Sequence, residues 1–277
     1  MAGIIDAHVH VWTPRQEEFK RLPGEQNYPP ASFTPEEYLA LARPAGIDRA
    51  VLIQMSFYGF DHSYMLKAMR DYPGVFSGVA VVDASAPGVE ATMRELKRQG
   101  VRGFRIAPGA SPQTWLDTPG MARMWRCGAA EQLAMCPLIN PDALPAVDRM
   151  CQRFPETPVV IDHLARIGVG GQIRDADVRQ LCALAKHRHV YVKVSAFYAL
   201  GAGKPPYTDL APLIRRVFED YGPRRLMWAT DCPFQAQGVH TVQASVDLVR
   251  RHLDFLGEED RAWMLERTAA QMFFAGM

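Results

Sequence analysis

Runs of apolar residues alternate along this chain with stretches in which apolar residues recur every three or four positions. Short apolar runs between polar residues are typical of buried strands, and the longer spacing is typical of amphipathic helices. The pattern therefore predicts that strands and helices follow each other from end to end. The predicted strands span residues 4–12, 49–56, 76–83, 101–107, 135–140, 158–163, 190–197 and 226–231.

Helical spacing fills the segments between these strands. Strands that alternate with helices form parallel sheets, and eight such units in 277 residues predict one domain, an α/β fold of the (β/α)8 TIM-barrel class. Two further helices follow the eighth strand. The predicted helices are 35–42, 63–71, 89–99, 121–132, 143–154, 175–187, 210–221, 241–256 and 258–274.

The first strand carries two histidines, His8 and His10, in an otherwise apolar run. Side chains alternate between the two faces of a strand, so we expect these histidines to share a face with Asp6 and Trp12. The aliphatic residues between them would form the opposite face. Buried imidazoles need polar partners, which favours a functional site over two packing histidines.

Polar residues also occur at the ends of other predicted strands, where a barrel builds its active site. A carboxylate such as Asp231, close to histidines, can act as a general base or bind a metal. Arg105 suits a substrate carboxylate, although a structural ion pair would explain Arg105 and Lys193 equally well. Lys193 needs a substrate anion or an acidic partner if it is buried. The candidates beyond the first strand are Tyr58, Arg105, His163, Lys193, Ser195 and Asp231.

Composition narrows the class of protein. The formal net charge is +1, and no apolar run is long enough to cross a bilayer, so neither nucleic acid nor a membrane is an expected partner. The five cysteines include no C-x-x-C pair and are typical of reduced thiols in a cytoplasmic protein. The oligomeric state is left open by the sequence.

Three segments carry a family resemblance. Residues 6–12 (DAHVHVW), 160–165 (VIDHLA) and 227–234 (MWATDCPF) resemble the signature strands of the amidohydrolase superfamily. More narrowly, they resemble its amidohydrolase-related branch, which includes 2-pyrone-4,6-dicarboxylate lactonase and sugar-acid lactonases. The likeness runs through the chain in order and at barrel spacing.

The resemblance implies roles for particular residues. His8, His10, His163 and Asp231 would form the catalytic core and would be the ligands of a metal ion if one is bound. Arg105 would contact a substrate anion, with help from Lys193, Ser195 or Tyr58. Strand five has no histidine or lysine, so a two-metal site is not expected. This branch is compatible with catalysis that uses one zinc or manganese ion and with catalysis without a metal.

The expected function is a hydrolase that opens a small carboxylated lactone by attack of water. One alternative is a metal-dependent hydrolase of a C–N bond or a non-oxidative decarboxylase of the same superfamily. Another is a catalytically silent barrel that binds a ligand or serves as a scaffold. Substrate choice would rest on the loops 14–30, 57–62, 108–119 and 199–208.

Overall fold

The computed structural model describes residues 3–15, 17–24, 28–109 and 111–276. Its eight strands are all parallel and pair in chain order, which confirms the predicted (β/α)8 barrel. Each strand ends before its apolar run does, so the predicted strand ends were too late. The loops 14–30 and 108–119 each contain residues that lie outside the described ranges. The strands are β1 (Ile4–Val9), β2 (Ile47–Ile53), β3 (Phe76–Ala80), β4 (Val101–Ile106), β5 (Ala134–Pro137), β6 (Val159–Ile161), β7 (Val190–Val194) and β8 (Leu226–Trp228).

The barrel closes between β1 and the segment that follows β8. The Asp231 amide donates to the His8 carbonyl at 2.9 Å, and the His10 amide donates to the Cys232 carbonyl at 2.9 Å. A parallel bridge joins Val9 to Cys232. Closure therefore brings Asp231 beside both histidines of the first strand.

The helices follow the predicted order. The first helix begins at a capping box, in which Thr34 accepts from the Glu37 amide and the Glu37 carboxylate accepts from the Thr34 amide. After α8 and α9 the chain continues through π-helical turns, 248–252 and 263–267. The helices are α1 (Pro35–Ala42), α2 (Ser63–Asp71), α3 (Val89–Arg98), α4 (Pro119–Glu131), α5 (Leu144–Arg153), α6 (Asp175–Ala183), α7 (Ala211–Tyr221), α8 (Val242–Asp247), α9 (Glu258–Ala262) and α10 (Thr268–Phe273).

Within the described ranges, the longest helices fall short of the length and apolarity that a membrane span requires.

Two apolar layers hold the barrel together. One lies between the strands and the surrounding helices, and the other fills the barrel interior. The interior layer includes Ile5, Val79 and Met227, and it packs against Ala269 and Phe273 of α10. Helix α10 therefore covers one end of the barrel interior. The polar site lies at the other end, at the carboxyl ends of the strands.

A break in the strand alternation changes one expectation for β1. The pairing of β1 with β2 shifts register between Asp6 and Val9, as at a β-bulge. Ala7 packs with the interior apolar cluster, yet the next side chain, His8, also lies among the interior polar groups. Asp6 instead contacts Tyr38 of α1, so the prediction that it shares a face with His8 was wrong.

Candidate active site

A cavity of about 680 Å³ opens at the carboxyl ends of the strands. Residues after or near the end of every strand contribute to its wall, as expected for an active site in a TIM barrel. Each strand end contributes at least one lining residue. From β1 to β8 these include His10, Gln54, Val81, Arg105, Leu138, His163, Ala196 and Asp231.

Three imidazoles surround the Asp231 carboxylate at the floor of this cavity. Asp231 Oδ1 lies 3.3 Å from His10 Nε2 and 3.4 Å from His8 Nε2. His163 Nε2 lies 3.7 Å from Asp231 Oδ2. The two Nε2 atoms of His8 and His10 are 3.3 Å apart. Each of the three candidate catalytic histidines therefore lies within 3.7 Å of the Asp231 carboxylate, at the ends of β1, β6 and β8.

The tautomer of His10 follows from its backbone contact. Its Nδ1 lies 2.9 Å from the Ile53 carbonyl, which can only accept, so Nδ1 carries a hydrogen. Nε2 is then the ring atom that His10 presents to Asp231 and His8. Nitrogen and oxygen atoms that converge in this way can share a hydrogen or hold a cation.

The donor set fits one divalent cation. Ligand atoms of His8, His163 and Asp231 lie within 4.8 Å of one another, and all three residues are buried. Asp231 Oδ1 is buried without a well-oriented hydrogen-bond donor among the described residues. Imidazole nitrogen and carboxylate oxygen are common ligands of zinc and manganese. Arg105 Nη2, 2.8 Å from His8 Nε2, competes for one of these nitrogens.

The Asp231 carboxyl group is ionised in these surroundings. Burial on its own would raise the pKa of the carboxyl group, but His163, His10 and His8 outweigh it and lower the pKa below its ordinary range. The Tyr198 hydroxyl donates to Asp231 Oδ2 at 2.6 Å. Burial, and next the Asp231 charge, raise the pKa of Tyr198. Tyr198 therefore remains a neutral donor to a charged carboxylate.

A second set of charges lies beneath His8. Asp162 Oδ1 is 2.9 Å from Lys193 Nζ, and Asp162 Oδ2 is 3.2 Å from Arg105 Nη2. Lys193 Nζ also lies 3.2 Å from His8 Nδ1. Burial would raise the pKa of Asp162, but Lys193, His8 and Arg105 together hold it well below its ordinary range. Burial, Lys193 and His163 in turn lower the pKa of His8, which keeps its ring neutral.

Asp6 lies outside the cavity and connects β1 to the turn after β8. Its carboxylate accepts from the Thr230 amide at 2.8 Å, the Thr230 hydroxyl at 2.5 Å and the Tyr38 hydroxyl at 3.2 Å. Burial raises the pKa of Asp6 to about 7, although these donors oppose the shift. These bonds fix the segment from which Asp231 projects.

The remaining predicted residues lie at different distances from the cavity. Ser195 Oγ is 2.8 Å from His163 Nδ1 and orients that ring from behind. Lys193 is fully buried and faces an acidic partner, one of the two surroundings expected for it. The Tyr58 hydroxyl accepts from the Thr13 amide, and Tyr58 is absent from the described residues that line the cavity.

Sequence reasoning assigned no role to Asp162, Tyr198 or Arg166. Tyr198 and Arg166 line the cavity but come from turns that follow β7 and β6. Residues 163–166 all have positive φ, between 52° and 57°, which is costly for residues other than glycine. Such strain is a marker of functional sites, and this turn presents both His163 and Arg166 to the cavity.

Several relatives resemble the chain over most of its length. A 2-pyrone-4,6-dicarboxylate hydrolase of Comamonas testosteroni is 31% identical over 244 residues, 84% of this chain and 77% of the relative. A 4-sulfomuconolactone hydrolase of Rhizobium radiobacter is 30% identical over 237 residues, 83% and 76%. An L-fucono-1,5-lactonase of Burkholderia ambifaria is 26% identical over 238 residues, 85% and 82%.

Solved structures agree in fold. A Pseudomonas putida protein, provisionally assigned as a 2-pyrone-4,6-dicarboxylic acid hydrolase, matches with a TM-score of 0.84 and 24% identity over 100% of this chain and 99% of its own. A Burkholderia multivorans amidohydrolase with bound zinc matches with a TM-score of 0.82 and 20% identity, covering 99% of each chain. The amidohydrolase family model matches residues 5–275, and this chain belongs to that family.

Proposed function

We propose that this protein is a hydrolase that opens the ring ester of a small carboxylated lactone by attack of water. The observation that carries the proposal is the buried Asp231 carboxylate, which faces the cavity between three imidazoles and close to an arginine. The relatives named above support it, because all three are named as hydrolases or lactonases and two of their names include an acid group.

The charge of the cavity supports an anionic substrate. Among the described residues that line it, Asp231 carries the one carboxylate, whereas Arg105 and Arg166 carry two guanidinium groups. Arg105 uses Nη2 for Asp162 and His8. Within the described ranges Arg166 has no ion-pair partner, and it is exposed at the cavity. We assign the substrate carboxylate to these two arginines.

Asp231 is the proposed general base. Its Oδ1 takes a proton from water while the water oxygen bonds to the ester carbonyl carbon, and the carbonyl electron pair moves to oxygen. A tetrahedral intermediate results. The ring C–O bond then breaks, and Asp231 returns the proton to the leaving ring oxygen. One water is consumed, and a hydroxy acid is formed.

The oxyanion needs donors that are in place beforehand. His163 presents Nε2 to the cavity because its Nδ1 pairs with Ser195. The Arg105 guanidinium lies close by, next to His8 Nε2. Burial lowers the pKa of His163, which keeps the ring neutral, as metal binding requires. We assign oxyanion stabilisation to His163, while the adjacent Arg105 holds the substrate carboxylate.

A divalent ion would bind at the same place, the polar floor of the cavity. His8, His163 and Asp231 would hold it, with His10 adjacent. When bound, zinc or manganese would polarise the ester carbonyl as a Lewis acid.

A lactone panel tests the proposal. Purified protein, with and without added zinc, is incubated with carboxylated γ- and δ-lactones, and ring opening is followed by proton release in a pH-stat. We expect opening of at least one carboxylated lactone, and slower opening when its acid is replaced by a neutral amide. No opening of any lactone under either condition would refute the proposed function.

A further inference from the structure

The cavity wall divides into a polar floor and an apolar mouth. Asp231 and His163, at the floor, are 6% and 5% exposed. Phe60 and Val169 line the same cavity but are 59% and 47% exposed. We propose that the substrate carries an apolar alkyl or aryl arm, which lies between Phe60 and the Val169–Leu200 pair. The inference rests on the proposed lactonase function.

Phe60 is held in its exposed position by the loop after β2. The Gln54 side chain donates to the Asp61 carbonyl at 2.6 Å and to the Gly59 carbonyl at 3.3 Å. The Gly59 amide donates to the Ser56 carbonyl at 2.8 Å. Because hydrogen bonds hold the backbone on both sides of Phe60, its ring has a fixed place at the cavity mouth.

The other wall is built by the turns after β6 and β7. Val169 and Leu200 form an antiparallel bridge, and the Gly201 amide donates to the Gly168 carbonyl at 3.0 Å. Leu200 is only 1% exposed, although it lines the cavity. In an eight-stranded barrel β2 and β6 lie opposite each other, so the loop that carries Phe60 and the turn that carries Val169 line opposite sides of the cavity.

Exposed apolar side chains concentrate at this opening. Among the described residues, five large apolar side chains are exposed, and two of them, Phe60 and Val169, line the cavity. A third, Leu22, lies beside Gly59, since a Cβ on that glycine would come within 2.8 Å of Leu22 Cδ1. Exposed apolar patches next to polar groups are typical of ligand-binding grooves.

The volume of the cavity points the same way. About 680 Å³ lies in the range that buries a drug-sized ligand, and a bare monocyclic lactone acid is much smaller. The floor has polar groups for the reacting ester, and Arg105 and Arg166 can hold one acid group. The remaining space is lined by apolar side chains such as Met55, Leu138 and Leu200. The substrate class is therefore an amphipathic lactone acid.

A matched series of lactones tests the inference. The probes are γ-lactone carboxylates that carry hydrogen, methyl, butyl or phenyl at one ring carbon. We expect kcat/KM to rise roughly fourfold for each methylene that becomes buried, mainly through KM. The wild-type protein alone gives this result, so it does not depend on the folding of a variant.

Variants locate the arm. In the wild type, butyl and phenyl substituents should raise kcat/KM above that of the unsubstituted lactone. Phe60→Ser should reduce this increase severalfold and should change kcat/KM for the unsubstituted lactone much less. Leu41→Ser is the matched control, because Leu41 is 43% exposed on α1 and is not among the described residues that line the cavity. It should preserve the full gain.

The outcomes separate the two proposals. Opening of the unsubstituted lactone at a kcat/KM equal to or above that of the substituted ones would overturn the apolar arm and leave the lactonase function in place. An arm effect that persists in Phe60→Ser would overturn its assigned position. Failure to open any member of the series or any lactone of the wider panel, with or without zinc, would refute the lactonase function and this inference together.

Discussion

The Tyr198 hydroxyl donates a 2.6 Å hydrogen bond to Oδ2 of Asp231, and so engages one oxygen of the proposed base. The other oxygen, Oδ1, has no well-oriented donor among the described residues. Tyr198 comes from the short turn Phe197–Ala199 after β7, and it lines the cavity. The pair therefore fixes which Asp231 oxygen is left to accept a proton from water.

Tyr198→Phe should lower kcat about tenfold and change KM little, since a hydrogen bond to a charged group is worth about 1.5 kcal/mol or more. The reason is that the carboxylate loses its orientation while the arginines that bind substrate stay in place. Steady-state kinetics on an opened lactone measures both constants. Tyr58→Phe is the control, because the Tyr58 hydroxyl contacts the Thr13 amide and not Asp231. Equal losses in the two variants would contradict the positioning role.

Asp231→Asn should reduce kcat by about a hundredfold or more, the usual contribution of a general base. The amide keeps the shape of the side chain but cannot take a proton from water. Circular dichroism and thermal melting should show a folded protein, because the barrel closure near residue 231 depends on backbone bonds to His8 and His10. Retention of the wild-type rate in a folded variant would rule out Asp231 as the base.

The first strand shows what the sequence could predict and where it failed. The histidine pair correctly indicated a polar cluster, because both imidazoles reach Asp231. Strict alternation wrongly placed Asp6 on the same face, since a register shift separates it from His8. No glycine marks this irregularity in the sequence, so local pattern could not reveal it.

Residues beyond the strand ends were harder to find. Tyr198 and Arg166 belong to turns whose backbone enters the left-handed region at Ala196 and along residues 163–166. Glycine usually signals that region, and here other residues occupy it. The pairing of Lys193 with Asp162 joins β7 to the end of β6 through the barrel interior. Such a contact depends on closure of the barrel, which periodicity does not describe.

Arg166→Gln should raise KM about fivefold for a carboxylated lactone and leave kcat nearly unchanged. The guanidinium is exposed, so its attraction to a substrate acid is screened and is expected to be worth about 1 kcal/mol. A neutral amide analogue of the same lactone provides the control, because its KM should not change in the variant. An equal rise in KM for the acid and the amide would show that Arg166 does not bind the acid group.

Elemental analysis of the purified protein should find at most one equivalent of zinc or manganese. Among the described residues, His8, His163 and Asp231 offer one cluster of ligand atoms. At the register pair between β4 and β5, Arg105 is a cation, and burial raises the pKa of the Cys136 thiol to about 12, so this pair offers no ligand to a second ion. Two equivalents of tightly held metal would contradict this arrangement.

Substitution of a ligand separates the cluster from adventitious metal. His163→Asn should lower the metal retained after dialysis against a weak chelator, because it removes one of the three ligand residues. His189→Asn is the control, since its ring lies near Glu156 at the surface. Equal retention by the two variants would place any bound metal elsewhere.

Lys193→Met should lower the free energy of unfolding by about 3 kcal/mol, the usual result of removing one partner of a buried ion pair. Lys193 and Asp162 are both fully buried, and the variant leaves the Asp162 carboxylate without its 2.9 Å partner beside His8. Urea unfolding followed by circular dichroism measures the change. Lys186→Met is the control, because Lys186 is half-exposed where it meets Asp148 at 2.9 Å, and a loss of less than about 1 kcal/mol is expected. Equal losses in the two variants would mean that the buried pair contributes no more than a surface one.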